Sequence, residues 1–407
     1  MEQSGLVPHG WNNPEKLGES SGDRRLAGGA RQIIFAAPDL VPLCRVLRYK
    51  DRWMSDLDQA TEIRPGEELN LATLEPYLRM RFPDEAGALQ VRQFPCGHSN
   101  LTYLLNFGNR ELVLRRPPFG SKVKTAHDMS REFRVLSKLH AVYEPSPEVF
   151  FYCGDDSVLG APFYLMQPIR GIILRKHLPS DLDLSPEKAR QLSKSLIDNL
   201  IRLHRIDYGA AGLADLGKPE GYLERQVRGW MERYHGSKTH DYPEVEKICV
   251  WMQQHTPIIN SVSLIHNDYK LDNVVLDAND ITKIVGVLDW EMCTIGDSLT
   301  DLGTTLAYWA DATDSDGLKQ SLSDVTTHPG SFTRTDIVQH YAEQTGSDVS
   351  QISFYLAFAR FKLAVIVQQI FYRYQQGLTR DSRFATMPER IQALLRSSLQ
   401  VAESGRI

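Results

Sequence analysis

The most promising catalytic residues lie in the segment HNDYKLDN, residues 266–273. A further acidic residue, Asp289, follows this segment. Phosphoryl transfer needs an acceptor for the proton of the attacking hydroxyl and oxygen ligands for Mg²⁺. Asp268 can accept that proton, while Asn273 and Asp289 can supply oxygen ligands for the metal. Lys270 can neutralise charge on the transferred group. The spacing therefore predicts a phosphotransfer centre in which Asp268 and Lys270 are catalytic.

Other polar residues near this stretch are better suited to support than to chemistry. His266 is expected to hold the loop through hydrogen bonds, and Asp297 or Ser298 is expected to cap a helix that begins there. The simpler alternative is a polar loop whose side chains satisfy one another and bind no metal. The combination of Lys270, a following hairpin and Asp289 favours the phosphotransfer interpretation.

The loop must be held by regular elements, and the first group of these lies at residues 89–170. The segment LQVRQFPCGHSNLTYLLNFGNRELVLRRPP alternates apolar and polar side chains, which predicts three antiparallel strands joined by tight turns. Next, DMSREFRVLSKLHAV has the apolar spacing of a helix, and two more strands are predicted at 149–152 and 163–166. Strands, a helix and further strands make a small α+β lobe.

The chain beyond residue 170 is predicted to be mainly helical. Apolar spacing indicates helices at 185–204, 220–235, 243–254, 297–310, 331–345, 351–376 and 387–402. Two strand-like runs, at 273–276 and 284–288, flank a turn and predict a hairpin between Asn273 and Asp289. We therefore assign 171–407 to a second lobe that carries the catalytic loop and the substrate pocket. Before residue 89 we predict a helical extension at 55–88 and a variable or disordered leader at 1–54.

Composition limits the location and the partners of the protein. The chain has 407 residues and a net charge of −5, so no global basic field favours nucleic acid. Its five cysteines show no C-x-x-C spacing, which favours a reducing, cytoplasmic compartment, and no signal-peptide-like apolar run opens the chain. The apolar stretch 354–371 contains Arg360, Lys362 and two glutamines, so it predicts a buried helix and no membrane span.

At these residues the chain resembles the aminoglycoside phosphotransferase and choline kinase superfamily. HNDYKLDN and LDW are similar to its catalytic-loop and metal motifs, and the resemblance extends from about residue 55 to the end of the chain. The segments TEIRPGEEL, GHSNLTYLL, VLRRPP, GYLERQVRGW and FARFKLAVIVQQI are most similar to the branch that stands alone in bacteria and is fused to acyl-CoA dehydrogenases in animals. One departure is Asn267, where most members have Gly, and we interpret it as a surface-loop substitution.

The resemblance implies a protein-kinase-like bilobal fold, with a small antiparallel-sheet N-lobe at 89–170 that binds the nucleotide, a mainly helical C-lobe and ATP in the cleft. Gly97, Ser99 and Asn100 lie where the family places its phosphate-covering loop. Arg115 ends the third strand, where protein kinases place a phosphate-contacting Lys, and Arg116 is the competing candidate. A guanidinium can bind phosphate through two hydrogen bonds, whereas a Lys acts as a point charge.

Three further roles follow from the same resemblance. Glu132, on the helix after the third strand, is the candidate ion-pair partner of the arginine, and its alternative is a solvated helix face. The segment Leu165–Ile169 is the expected hinge, so Gln167 and Ile169 are candidates for contact with the nucleotide. Asp301, on the first turns of the helix after the hairpin, is expected to brace the catalytic loop by hydrogen bonds.

The acceptor pocket is expected between Asp268 and the C-terminal helices, with Arg360 and Lys362 as candidate substrate residues. Their helix is otherwise apolar, which suits an anionic substrate, and the alternative is a core helix whose basic side chains reach outward. Together with the resemblance, this predicts a small-molecule kinase that phosphorylates a hydroxyl of a metabolite, such as a hydroxy acid or a hydroxyacyl-CoA. Aminoglycosides are polycations and would need a more acidic pocket, which disfavours an antibiotic phosphotransferase.

Two other interpretations stay open. A non-catalytic nucleotide-binding module is favoured by Arg115 in place of Lys, although the intact Asp268, Asn273 and Asp289 oppose it. A protein kinase is opposed because Glu291 stands where protein kinases have Gly and no A-P-E sequence follows. The residues do not choose between ATP and GTP, and they leave the oligomeric state open.

Overall fold

The computed structural model describes residues 59–95, 100–119, 128–179, 182–259, 261–378 and 382–407. The leader predicted at 1–54 and the phosphate-loop candidates Gly97 and Ser99 lie outside these ranges. Within the described part, the chain forms two lobes. One lobe is built on an antiparallel sheet, and the other is mainly helical.

The N-lobe sheet has five antiparallel strands in the order β1-β2-β3-β5-β4. The strands are β1 (Leu89–Gln93), β2 (Leu101–Phe107), β3 (Arg110–Arg116), β4 (Val149–Cys153) and β5 (Phe163–Met166). Phe107 of β2 lies opposite Arg110 of β3, so Gly108 and Asn109 form a two-residue turn. Gly108 has a φ of 63°, a conformation that such turns require and that glycine adopts readily. All five strands predicted from the sequence, three of them from the alternating pattern, are confirmed.

Three helices flank this sheet in the described residues: α1 (Leu71–Arg81), α2 (Met129–Leu139) and α3 (Asp156–Leu159). The side chain of Asp128 accepts a hydrogen bond from the Arg131 N–H at 3.0 Å and so caps the start of α2. Asn70 caps α1 in the same way, through the Ala72 N–H at 3.1 Å. These caps fix where the two helices begin, and α2 is the helix that carries Glu132.

The sheet is buried on both faces, and alternation along β3 assigns side chains to each face. Leu112 and Leu114 belong to a core cluster that includes residues of α1 and α3. Val113 belongs to a second, larger cluster that includes residues of α2 and of the C-lobe. Because successive side chains point to opposite faces, Arg115 points toward the C-lobe side and Arg116 toward the α1 side.

The C-lobe contains eight α-helices within the described residues. These are α4 (Pro186–His204), α5 (Tyr222–Ser237), α6 (Glu244–His255), α7 (Ser298–Tyr308), α8 (Asp316–Lys319), α9 (Arg334–Thr345), α10 (Ile352–Gln375) and α11 (Met387–Ser404). All seven helices predicted from apolar spacing are confirmed. Helix α8 was not predicted, because four residues are too few to show a helical period.

Two pairs of short strands hold the loop that carries the candidate chemistry. Strand β7 (Val274–Leu276) pairs with β8 (Ile284–Val287), which confirms the predicted hairpin. Strand β6 (Val262–Ile265) pairs with β9 (Thr294–Asp297), and this pair was not predicted. Each strand of the second pair has four residues, and its partner is distant in the sequence, so no local pattern reveals it. The stretch 266–273 connects β6 to β7.

Helix α10 is the central helix of the C-lobe. By length and composition alone it could cross a membrane, because its most apolar window has a mean hydropathy of 1.4. Within the protein, however, 83% of that window is buried. The helix packs against α5, α7 and α11, which explains its apolar character. This agrees with the prediction of a buried helix.

Candidate active site

Asp268 lies on the loop between β6 and β7, and its carboxylate is held by two neighbours. Lys270 Nζ donates to Asp268 Oδ2 at 2.7 Å, and Asn273 Nδ2 donates to the same oxygen at 2.9 Å. Asn273 Nδ2 also donates to the Asp268 backbone carbonyl at 2.8 Å. The loop thus brings a carboxylate, an ammonium group and a carboxamide together, as their spacing in the sequence predicted.

The β7–β8 hairpin places Asn273 and Asp289 at the same end. Asn273 precedes β7, Asp289 follows β8, and Val274 pairs with Val287. The Leu288 N–H donates to the Asn273 carbonyl at 2.8 Å, so the residue before Asp289 is bonded directly to Asn273. The two candidate metal ligands are therefore neighbours through backbone pairing, although the chain between them is long.

The donor atoms at this end of the hairpin suit Mg²⁺, which prefers oxygen ligands. Asn273 directs its Nδ2 group toward Asp268, which leaves Oδ1 as the atom that can bind a cation. Asp289 has a φ of 68°, a left-handed conformation that is uncommon for a residue with a side chain. The described residues contain no group of three or more His, Cys, Asp or Glu side chains that could hold a metal by themselves. A Mg²⁺ ion here would need further ligands from phosphates and water.

Arg115 joins the N-lobe to this end of the hairpin. Its Nη2 lies 3.1 Å from Asp289 Oδ1, and its Nη1 lies 3.0 Å from Glu132 Oε1. Burial alone would raise the pKa of Asp289, but the Arg115 guanidinium lowers it below the usual value, which favours the carboxylate form. Burial raises the pKa of Glu132 despite the same arginine.

Glu132 is 1% exposed, so the alternative of a solvated helix face is wrong. Besides its contact with Arg115, its Oε1 accepts a hydrogen bond from the Trp290 N–H at 3.2 Å. Glu132 therefore connects α2 both to the strand that ends in Arg115 and to the residue after Asp289. Such contacts make the position of α2 depend on the position of Asp289.

Arg116, the competing phosphate candidate, lies on the other face of the sheet. Its guanidinium stacks over the Phe119 ring at 3.7 Å, and its Nε donates to the Pro117 carbonyl at 3.2 Å. Burial lowers the pKa of Arg116. Arg115 is therefore the arginine that faces Asp289.

Asn267 was interpreted as a surface-loop substitution, and that interpretation is wrong. The residue is 6% exposed and has a φ of 67°. Its Nδ2 donates to the Met292 carbonyl at 3.0 Å, and its Oδ1 accepts from the Tyr222 hydroxyl at 3.1 Å. The left-handed backbone explains why glycine suits this position, and Asn is among the residues that tolerate it best. The sequence signal was the departure from Gly itself, at a position next to Asp268.

Asp301 accepts hydrogen bonds from the backbone of the same loop. Its Oδ2 accepts from the His266 N–H and its Oδ1 from the Asn267 N–H, both at 2.7 Å. The same Oδ2 lies 3.2 Å from His204 Nε2, a contact that sequence reasoning missed. Burial alone would raise the pKa of Asp301, but its hydrogen bond and charge interaction with His204 lower it.

His266 and Asp297 make contacts that hold the elements around the loop. His266 is fully buried, its Nε2 lies 3.0 Å from the Leu288 carbonyl, and the Asp268 N–H donates to its Nδ1 at 3.3 Å. These bonds fit a neutral ring protonated on Nε2. Asp297 caps α7 through the Leu299 N–H at 3.0 Å and accepts from the Tyr355 hydroxyl at 2.5 Å.

The lobes also meet through contacts outside the Arg115 group. Asn100 Nδ2 donates to Glu291 Oε2 at 2.7 Å. Arg131, on α2, donates to the Cys293 carbonyl at 2.8 Å and to the Leu216 carbonyl at 3.1 Å. The Arg131 contacts were not foreseen, because bonds to backbone carbonyls leave no trace in residue spacing.

The predicted hinge follows β5 and leads into the C-lobe. The Gln167 N–H donates to the Glu148 carbonyl at 2.8 Å, while its side chain is exposed. Ile169 packs against Gly286 of β8 so closely that a Cβ on that glycine would lie 2.7 Å from the isoleucine. The hinge therefore rests directly on the hairpin that carries the candidate metal ligands.

A cavity of about 680 Å³ opens beside the catalytic loop. Its wall is formed by the loop itself, by α7 and α8, and by the start of α11. Four basic and two acidic side chains are among its lining residues, namely Lys176, Lys270, Arg383, Arg390, Asp272 and Glu389. This cavity lies where the acceptor pocket was predicted, between the catalytic loop and the C-terminal helices.

The structure does not bring Arg360 and Lys362 to the wall of this cavity. Arg360 is 3% exposed, and its Nη2 lies 3.7 Å from Asp314 Oδ1. Lys362 is 5% exposed, and its Nζ donates to the Asn267 carbonyl at 3.0 Å. Their side chains do not reach outward either, so neither sequence-based expectation describes them.

The two-lobed fold is that of the protein-kinase-like phosphotransferases. A solved structure from Ralstonia eutropha, assigned as an aminoglycoside phosphotransferase, superposes with a TM-score of 0.70 and 28% identity over 83% of this chain and 99% of that one. A sequence profile of the phosphotransferase enzyme family matches residues 90–329. The chain belongs to this family, and the predicted fold class is confirmed.

Two curated relatives carry the name of a different enzyme. Acyl-CoA dehydrogenase family member 11 of Rattus norvegicus is 30% identical over 350 residues, which cover 84% of this chain and 44% of the relative. Family member 10 of Mus musculus is 32% identical over 317 residues, which cover 77% of this chain and 29% of the relative. The chain thus spans less than half the length of these relatives, and the resemblance to the acyl-CoA dehydrogenase-fused branch is confirmed.

Proposed function

We propose that this chain is a small-molecule kinase that transfers the γ-phosphate of ATP to a hydroxyl group of an anionic metabolite. The observation that carries this proposal is the group formed by Asp268, Lys270 and Asn273, which hydrogen bonds hold together, with Asp289 next to Asn273 through the backbone pairing of the hairpin. Lys270 also lines the cavity of about 680 Å³, which places this group next to the cavity. A proton acceptor, a cation and two oxygen ligands are the parts that phosphoryl transfer requires.

In this mechanism the acceptor hydroxyl enters from the cavity and approaches the Asp268 carboxylate. The hydroxyl oxygen forms a bond to the γ-phosphorus, while the bond from that phosphorus to the bridging oxygen of ADP breaks. The hydroxyl proton passes to Asp268. Lys270, held 2.7 Å from Asp268, stabilises negative charge on the transferred group and fixes the orientation of the carboxylate.

Asn273 Oδ1 and Asp289 would hold Mg²⁺, which offsets charge on the phosphates when it is bound. Arg115 lies beside Asp289 and can donate two hydrogen bonds to a phosphate. Asn100 and the hinge residues Gln167 and Ile169 would then lie on the path of the nucleotide, as the family resemblance implies. The ion pairs with Glu132 and Asp289 hold the Arg115 guanidinium in one position before the nucleotide binds.

The charge of the cavity favours an anionic acceptor. Four basic against two acidic lining side chains would attract a carboxylate or phosphate and would repel a polycation. A hydroxy acid or a hydroxyacyl-CoA carries both the required hydroxyl and such an anionic group. The relatives named as acyl-CoA dehydrogenases support the same choice, since their name is that of an enzyme for acyl-CoA and this chain matches only part of their length.

The test is a transfer assay with purified protein, ATP and Mg²⁺. The acceptors are 3-hydroxybutyrate, 4-hydroxybutyrate and their CoA thioesters, with kanamycin as the cationic comparison, and mass spectrometry detects the phosphate ester. We expect transfer to at least one hydroxy compound and none to kanamycin. GTP in place of ATP shows which nucleotide is preferred.

Asp268→Asn should abolish this transfer while the thermal unfolding curve stays close to wild type. Asp277→Asn is the matched control, because Asp277 lies in the turn of the hairpin and its side chain accepts from the Asn279 N–H at 2.7 Å. An Asn can accept the same bond, so this variant should keep wild-type activity. Wild-type rates in Asp268→Asn would overturn the assignment of Asp268.

One observation favours a second function, nucleotide binding without transfer. Arg115 is already paired with Glu132 and Asp289, so the carboxylate expected to hold Mg²⁺ is engaged by a cation. If this pairing persists with nucleotide bound, the chain would bind ATP and leave it intact. Calorimetry that detects ATP binding, together with no phosphate ester from any acceptor, would favour this function over the first.

We place this activity in the cytoplasm. The cysteines that the structure describes, Cys153, Cys249 and Cys293, are all buried and free. Free thiols persist in reducing compartments, whereas secreted chains usually pair them. Fractionation of cells that express the tagged full chain, followed by detection of the tag in each fraction, tests this location.

A further inference from the structure

Asn267, the residue before Asp268, is held by partners from several elements. Its N–H donates to Asp301 at 2.7 Å, and its side chain bonds to Tyr222 and to the Met292 carbonyl. Its carbonyl accepts a hydrogen bond from Lys362 Nζ at 3.0 Å. The last contact comes from α10, a helix that contributes nothing to the wall of the cavity.

The Asn267 carbonyl belongs to the peptide group that joins Asn267 to Asp268. Lys362 bonds to the oxygen of this group, and His266 Nδ1 accepts from its N–H, at 3.3 Å. A peptide group is planar, so fixing its oxygen and its N–H fixes the whole plane. The direction in which the Asp268 side chain leaves the backbone depends on that plane.

Lys362 is a buried ammonium group whose hydrogen bond goes to the Asn267 carbonyl. The Asp268 and Asp301 carboxylates act on it as charges from a longer distance. It is 5% exposed and forms no ion pair within 4.0 Å among the described residues, and its Nζ lies 5.7 Å from the centre of the Trp230 ring. Burial of an ammonium group is unfavourable unless it is hydrogen-bonded, and burial lowers the pKa of Lys362 accordingly. A core position on an apolar helix would be better filled by Leu or Met if packing alone mattered.

We propose that Lys362 is a positioning residue, whose hydrogen bond to the Asn267 carbonyl sets the orientation of the Asp268 carboxylate. This inference rests on the proposed function, in which Asp268 accepts the proton of the acceptor hydroxyl. It replaces the substrate role that the sequence suggested for Lys362. The lysine acts through the backbone of the loop and touches no reacting atom.

The first test measures the loop directly and needs no substrate. Hydrogen–deuterium exchange is compared for the wild type, Lys362→Met and Gln368→Met. Gln368 lies on the same helix, is buried, and donates to the Ser237 carbonyl at 2.6 Å and to Thr239 Oγ1 at 2.8 Å, so its loss removes hydrogen bonds that do not involve residues 266–273. We expect faster exchange at residues 264–270 only in Lys362→Met, and faster exchange near Ser237 only in Gln368→Met.

The second test measures catalysis. Lys362→Met should lower kcat by about 100-fold, because a small misplacement of a reacting group can have this effect, while KM for ATP stays near wild type. Gln368→Met should leave kcat unchanged. Equal losses of kcat in both variants would mean general destabilisation and would overturn the proposal. Unchanged loop exchange or unchanged kcat in Lys362→Met would also overturn it.

The two tests separate this inference from the proposed function. A wild-type protein that transfers no phosphate refutes the function, while the exchange experiment still decides whether Lys362 holds the loop. If Lys362→Met does not fold, Lys362→Gln replaces it, because Gln keeps a polar group but is too short to reach the carbonyl. The same loss of kcat and the same faster exchange at residues 264–270 are expected from that variant.

Discussion

The guanidinium Nη2 of Arg115, at the end of β3, lies 3.1 Å from Oδ1 of Asp289, which follows β8. Because the two residues belong to different lobes, this contact ties the sheet of the N-lobe to the hairpin of the C-lobe. Glu132 contacts the same arginine from α2 at 3.0 Å. Three elements therefore meet at one guanidinium group.

Replacement of Arg115 by Lys tests what the guanidinium contributes. An ammonium group keeps the charge but cannot reach both carboxylates with the same geometry, nor grip a phosphate with two hydrogen bonds. We expect KM for ATP to rise about tenfold, equivalent to about 1.4 kcal/mol. Arg116→Lys, on the other face of the sheet, should leave KM for ATP unchanged. Initial-rate kinetics with varied ATP measures KM for ATP in both variants. An equal rise of this KM in Arg115→Lys and Arg116→Lys would contradict the assignment of Arg115.

Two substitutions at Asn267 separate backbone strain from lost hydrogen bonds. Asn267→Ala keeps a Cβ at a φ of 67° and loses both side-chain bonds, so it should lower the free energy of unfolding by about 3 kcal/mol. Asn267→Gly loses the same bonds without strain and should cost only about 1 kcal/mol. Urea denaturation measures both. Backbone strain at residue 267 is contradicted if Asn267→Gly lowers the free energy of unfolding as much as Asn267→Ala does.

Asp301→Asn should destabilise the loop that carries Asp268. The carboxylate accepts bonds from the His266 and Asn267 N–H groups, and an amide would turn an NH₂ group toward one of them. We expect a loss of about 3 kcal/mol in the free energy of unfolding at neutral pH. Urea denaturation measures this loss, and a variant as stable as wild type would show that the loop does not depend on Asp301.

The same variant should change the dependence of stability on pH. The folded protein lowers the pKa of Asp301, so the carboxylate stabilises the fold above its unfolded pKa of about 3.9, and this contribution disappears as the pH falls through the folded pKa. The difference in stability between wild type and Asp301→Asn should therefore be constant from pH 7 to about pH 5. It should shrink below about pH 4. Urea denaturation across this range tests the sign, and a difference that grows in acid would contradict it.

Arg390→Gln tests the anionic nature of the acceptor. Arg390 lines the cavity near the start of α11, and its loss should raise KM for the anionic acceptor about tenfold while KM for ATP stays constant. Arg396→Gln is the control, since Arg396 lies on the same helix but pairs with Glu244 at 3.2 Å. The effect of Arg390 should also weaken with added salt, because salt screens exposed charges. An unchanged acceptor KM would argue against an anionic acceptor.

The sequence predicted those features that repeat locally. Apolar spacing identified α10, and alternation identified β2 and β3, because each pattern covers at least one full element. The reach of Lys362 could not be predicted, since it bonds a carbonyl that lies 95 residues earlier in the chain. The pairing of β6 with β9 could not be predicted for the same reason, because the two strands are far apart in the sequence. Contacts to backbone atoms depend on the folded path and on no side-chain pattern.

The family resemblance predicted one of these long-range contacts correctly, but it led to a wrong prediction for Asn267. It supplied the pairing of Arg115 with Glu132, which spacing alone could not reveal. It also made Asn267 look like a surface variation, because a motif states which residue is common and not how deeply it is buried. Only the fold showed that the residue bonds Tyr222 and Met292.

The hairpin of β7 and β8 has a consequence for how the chain can vary. Asn273 and Asp289 flank its two strands, so the distance between them follows from which residues pair and not from the length of the turn at the far end. Extra residues inserted between Asp277 and Lys283 would lengthen only that tip. A single residue added between Asn273 and the paired residues Val274 and Val287 would instead shift Asn273 relative to Asp289 and separate the two oxygen ligands.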